Sequence, residues 1–87
     1  MNIWLKGIKG ERVNGKYITS IYKTEFSGCG DEKYMGNMCI YVSLLNGRSI
    51  CLERFDYVDC VSMEKVYKDV EQRIDDYVLK LGGYYEG

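Results

Sequence analysis

The sequence predicts an α+β domain in which a four-stranded antiparallel β-meander packs against one C-terminal amphipathic helix. Three observations carry this. Apolar residues alternate with a period of two as far as Phe55, they recur at three- and four-residue spacing from Met63 onward, and Asn14-Gly15 and Asn46-Gly47 punctuate the alternating part.

Each Asn-Gly pair supplies the positive backbone angles of a tight reversal, so each predicts a hairpin. Around the first, Ile3 and Leu5 point one way and Trp4 and Ile8 the other, while the next strand divides Ile18, Tyr22 and Phe26 from Tyr17 and Ile21. The second hairpin is better specified. A three-residue loop, Asn46-Gly47-Arg48, sets Leu44 opposite Ile50 and Val42 opposite Leu52, which gathers the apolar residues on one face and puts Gly47 in a glycine bulge. The other face then carries Cys39, Tyr41, Ser43 and Leu45 beside Ser49, Cys51, Glu53 and Phe55.

The change of period predicts a helix over about 63–81. Ser62 is placed to cap its first turn, Glu64 lies near the positive end of its dipole, and Gly82 stands where a left-handed C-terminal residue is favoured. Met63, Val66, Tyr67, Val70, Ile74, Tyr77, Val78 and Leu81 form the apolar stripe. On the opposite side Glu64-Lys68, Asp69-Arg73 and Asp76-Lys80 have the spacing of weak i,i+4 ion pairs. The stretch 82–87 reads as a short flexible tail.

Eighty-seven residues make a single domain, 1–87, with the sheet at about 3–55; 46% apolar and 29% charged residues place the chain among folded globular proteins. The formal net charge of -1 provides no field that would draw it to nucleic acid or to an anionic membrane. The amino terminus builds no apolar run of signal-peptide type, and no segment approaches a membrane span, so a cytoplasmic location is expected, with no membrane partner. In that compartment Cys29, Cys39, Cys51 and Cys60 read as thiols. Their spacing lacks the close pairs of a structural zinc site, so no metal and no cofactor are expected.

Histidine is absent, which removes the commonest general base and every dyad built on it, and no enzymatic activity is expected. The stretch SGCGDEKYMG, 27–36, sets Cys29 between two glycines. Asp31 and Glu32 beside it would raise, not lower, its pKa, and they are too few oxygen ligands for a hard-cation loop. Its glycines lack the residues of a phosphate loop, so the segment, which also contains Tyr34, reads as a contact loop.

Aromatic content is the stronger signal. Nine tyrosines, one tryptophan and two phenylalanines exceed what one helix over one sheet face can bury, so Tyr17 or Tyr22, with Tyr41, Phe55, Tyr84 and Tyr85, are candidates for an open face or an edge. The expected function is that of a small non-enzymatic interaction protein that binds or inhibits a host protein through an aromatic sheet face and the 27–37 loop, with homodimerisation as a further use of that surface. Tyrosine, lysine, isoleucine and asparagine have AT-rich codons, which fits a phage or another mobile element as the source. The alternative is a sponge or sensor holding a nucleotide or other small molecule at a dimer interface. Single-stranded nucleic acid ranks below both, since it would need Lys6, Lys9, Arg12, Lys16 and Lys23 beside the rings.

Overall fold

The computed structural model describes residues 3–27 and 36–82. Along the chain run β1 (Trp4–Lys6), β2 (Arg12–Asn14), one 3₁₀ turn (Gly15–Tyr17), β3 (Ile18–Ser27), β4 (Gly36–Leu44), β5 (Ser49–Tyr57) and α1 (Cys60–Lys80). The fold is α+β. The strands do not form one four-stranded meander, however; β1 and β2 make a small antiparallel sheet of their own, and β3-β4-β5 make a separate three-stranded antiparallel sheet.

The difference begins at Asn14-Gly15, which is not a hairpin turn. The first reversal lies at residues 7–11, closed by Gly7 N–H donating to Glu11 C=O at 2.7 Å and helped by Gly10 at φ 89°. Asn14 is buried, and its side chain accepts from the Lys16 N–H at 3.1 Å, which caps the 3₁₀ turn and leads the chain away into β3. Gly15 is required there for space. A Cβ on it would stand 2.6 Å from Leu81 Cδ2 and 3.2 Å from the Ile3 carbonyl oxygen.

The second hairpin turns on three residues, but one position earlier than expected. Leu44 N–H donates to Arg48 C=O at 2.8 Å, so the loop is Leu45-Asn46-Gly47, and Gly47 takes the left-handed conformation at φ 86°. The register accordingly pairs Val42 with Ile50 and Ser43 with Ser49. Two bulges then change which side chains share a face. An extra residue at Thr19 lets Ile18 and Ile21 both enter the core, although the uninterrupted alternation separates them. The other bulge lies in β5, where Tyr41 is opposite Cys51 but Ile40 is opposite Glu53, so Leu52 is the additional residue.

Helix α1 starts three residues before the expected position. Asp59, not Ser62, is the N-cap: its carboxylate accepts from the Ser62 N–H at 2.7 Å, and the Ser62 hydroxyl accepts from the Asp59 N–H at 3.1 Å, a reciprocal capping box. Hydrogen bonds donated to it by Ser62, from the backbone N–H first and then the side chain, hold the Asp59 carboxyl below the usual aspartate range. At the other end Gly82 is left-handed, at φ 97°, as the helix-stop reading requires.

The stripe of α1 lies on one face of the three-stranded sheet, where Val66 and Val70 meet Ile21, Ile40 and Val42, and the hairpin adds Leu5 and Val13 to the same core. No helix among the described residues is long and apolar enough to cross a membrane.

Candidate interaction surface

The helix side of the sheet is closed by two carboxylates. Glu25 on β3 accepts from the hydroxyls of Tyr57, at 3.0 Å, and Tyr67. Glu53 on β5 receives Arg73 in a two-pronged contact, Nε to Oε2 at 3.0 Å and Nη2 to Oε1 at 2.9 Å, and also accepts from the Tyr77 hydroxyl at 2.8 Å. Arg73 therefore crosses to the sheet and forms no ion pair with Asp69; Glu64-Lys68 and Asp76-Lys80 are likewise absent from the ion pairs among the described residues. Burial, and then the bond to Glu53, push the Tyr77 hydroxyl up to about 12. The two clasps occupy Tyr57, Tyr67 and Tyr77, so part of the tyrosine excess serves to join helix to sheet.

The bulge at Leu52 accounts for Glu53 and also corrects the expectation for Phe55. With one residue added to β5, Glu53, Phe55 and Tyr57 turn to the helix side; Phe55 sits opposite the buried Met38 and packs against the core. It is not a neighbour of Tyr41 on the open face.

The outer face is formed by alternate residues: Ser20, Tyr22, Thr24 and Phe26 from β3, Asn37, Cys39, Tyr41 and Ser43 from β4, and Ser49, Cys51, Arg54 and Asp56 from β5. None of these side chains is buried. Tyr22 stands opposite Tyr41, and their rings stack with centroids 5.7 Å apart at 15°. The Tyr22 hydroxyl donates to Ser49 Oγ at 3.1 Å, two strands away, which lays the ring along the sheet. Phe26, one end of the same row, is 69% exposed. This face holds a flat aromatic centre with a hydroxyl and amide rim, the composition that protein interfaces favour.

Its chemistry is quiet. Cys39, Cys51 and Cys60 are free thiols. Burial pushes the Cys51 thiol up, followed by its neighbour Cys39, so Cys51 stays protonated at neutral pH and is a poor nucleophile. Cys51, ahead of burial, also raises the Tyr41 hydroxyl. No group of three or more metal-ligating side chains occurs among the described residues.

One basic residue, Arg54, is on this face and is paired with Asp56 at 3.1 Å; the lysines and Arg12 that the sequence groups together lie elsewhere. Lys6 faces Arg12 in the small hairpin, Arg12 lies over Trp4 at 5.6 Å, Lys16 lies over Tyr17 at 5.0 Å, and Lys23 is on the helix side, 3.6 Å from Glu71. Among the described residues, a cleft of about 260 Å³ lies between β3 and α1, lined by Tyr22, Lys23, Glu71, Ile74 and Asp75, and one of about 270 Å³ lies beside Tyr17 and Leu45. Both fall below the ~300 to 1,000 Å³ of ordinary ligand pockets.

Of the expected site residues, Tyr22 and Tyr41 are brought together and Phe55 is separated from them. Cys29, Asp31, Glu32, Tyr34, Tyr84 and Tyr85 lie outside the described residues, as do most of the 27–37 loop and all of the tail after Gly82. Phe26 belongs to the open face and was missed as a site residue; its period-two spacing from Tyr22 was the available signal. Comparison with protein-family models, with curated proteins and with solved structures gave no match for this chain.

Proposed function

We propose that this chain is a non-enzymatic interaction module whose contact surface is the outer face of the β3-β4-β5 sheet, centred on Tyr22 and Tyr41 and extended by Phe26. The observation that carries the reading is the stacked Tyr22–Tyr41 pair on a face with no buried side chain. A protein of complementary flat, partly apolar surface is the partner this favours; the host-protein target expected from the sequence is a protein of that kind.

The energetics limit the proposal usefully. Covering three rings would contribute roughly 1.5 to 3 kcal/mol each, a gross total of about 5 to 9. Association costs at least several kcal/mol, so the rings alone support a weak, exchanging contact. A tighter complex needs main-chain hydrogen bonds in addition.

The nucleotide-sponge alternative has less support, because the two rings already stack on each other and the cleft beside Tyr22 is small. Nucleic acid has less still: Arg12 and Lys16 lie over rings outside this sheet, Lys23 is on its helix side, and Arg54 on the outer face is paired with Asp56.

The test is affinity capture with three tagged chains: wild type, Tyr41→Ser and Leu79→Ser. Leu79 is exposed on α1, away from the proposed surface. Proteins retained by wild type and Leu79→Ser but lost by Tyr41→Ser are the expected result; equal retention by all three would exclude the outer face as the contact.

A further inference from the structure

We infer that a second copy of this chain pairs with the free edge of β3, in antiparallel register about Thr24, to give a continuous six-stranded sheet. The inference starts from the backbone. β3 is ten residues long and terminal in the order β3-β4-β5, so among the described residues one of its two sides has no strand beside it. At the opposite border of the sheet the hairpin approaches, with Ile8 N–H donating to Cys51 C=O at 2.8 Å. The open template for strand addition is therefore β3.

Proteins commonly disarm such an edge with proline, with bulges or with charge. This chain contains no proline, and the Thr19 bulge lies outside the regular stretch from Ser20 to Ser27. The charges on that stretch are Lys23 and Glu25, two positions apart on the helix side, with Thr24 between them on the outer face.

This spacing selects a register. With Thr24 opposite its copy across a two-fold axis, each Lys23 faces the Glu25 of the other chain, and each Tyr22 faces the other Phe26. Directly opposed residues share a face, so the first pairs lie beside the helices and the second extend the aromatic row across the junction. Centring the axis on residue 23 would oppose two lysines, and centring it on residue 25 would oppose two glutamates. Only the Thr24 register turns the edge charges from repulsive to attractive. Glu25 is suited to receive the ammonium group: it accepts from two tyrosine hydroxyls and pairs with no cation among the described residues. Lys23 has only an exposed contact with Glu71, which is easily exchanged.

Analytical ultracentrifugation of the full chain tests the arrangement by charge reversal. Wild type is expected to dimerise. Lys23→Glu and Glu25→Lys each oppose like charges twice across the axis and should weaken the dimer roughly tenfold. An equimolar mixture of the two variants restores every opposed pair as Glu against Lys, so it should form a heterodimer of near wild-type affinity.

A monomeric wild type, single variants that associate as well as wild type, or a mixture that stays monomeric would each overturn the inference. Glu25→Lys also removes the Tyr57 and Tyr67 clasp, and circular dichroism reports whether it folds. If it does not, hydrogen exchange of wild type decides: backbone amides of 21–27 should gain protection as concentration rises, and unchanged exchange would refute the pairing. This inference rests on the backbone edge and not on the outer-face reading, and the two fail separately, since Tyr41→Ser leaves the edge charges untouched.

Discussion

The two faces of the β3-β4-β5 sheet are made by the same three strands and have opposite characters. On the helix side Ile21, Ile40 and Val42 are fully buried, and every polar tip noted there has a charged partner, Glu25 for Tyr57 and Tyr67, Glu53 for Tyr77 and Arg73. On the outer side the tyrosines stack on one another and reach only uncharged groups, the Ser49 hydroxyl for Tyr22 and the Cys51 thiol for Tyr41. Tyrosine thus does two jobs in this chain. It fastens one layer to the next where a carboxylate awaits it, and it leaves an adhesive, half-apolar surface where none does.

The sharpest way to break this contrast is to remove equal kinds of contact from each side. Ile40→Ala, at the centre of the helix face, should cost about 2 to 5 kcal/mol in urea denaturation, because a fully enclosed side chain leaves a cavity. A loss below about 1 kcal/mol would show that the helix does not cover this face in solution.

The clasps come next. Glu53→Gln keeps an acceptor for Tyr77 but removes the charge from the Arg73 contact, and a loss of about 1 kcal/mol is expected from this half-exposed pair. The same clasp gives a pH signature. The folded Tyr77 hydroxyl, at about 12, lies above its ordinary value of 10.0, so the fold prefers the protonated ring. Its contribution is complete below pH 10.0 and disappears as pH rises toward 12. Tyr77→Phe should flatten the stability loss in that interval, measured by denaturation at a series of alkaline pH values; an unaltered slope would contradict the clasp.

The smallest effect on stability belongs to the outer face. Tyr41→Ser should change it by about 1 kcal/mol or less, because the ring is only half-buried, while removing the captured partners. A destabilisation as large as that of Ile40→Ala would mean that the outer row is core, and the interaction reading would fail with it.

Particular residues show where sequence reasoning succeeds and where it stops. Gly47 and Gly82 were identifiable as left-handed positions because a positive φ is a local property of the backbone. The stripe from Met63 to Leu81 was identifiable because helix period is local as well. Asn14-Gly15 has the same dipeptide signature as Asn46-Gly47 but caps a 3₁₀ turn, packed where Gly15 leaves room for Leu81, distant in the chain. Phe55 and Glu53 were assigned to the outer face by unbroken alternation, and one added residue at Leu52 reversed both. The Glu53–Arg73 contact followed from that reversal and competed successfully with the Asp69 that lies four residues before Arg73.

Composition and periodicity alone therefore established the α+β class, the single helix with its buried stripe, the second reversal and the surplus of rings. Tertiary packing decided that the strands split into two sheets, that three tyrosines would bind carboxylates, and that Phe26 would replace Phe55 beside the open tyrosine pair. The physical reason is that a period is written in neighbouring residues, whereas a bulge shifts phase by one residue at almost no cost in local preference. Its position is chosen by which side chains fit against the helix, and that fit exists only after the layers have met.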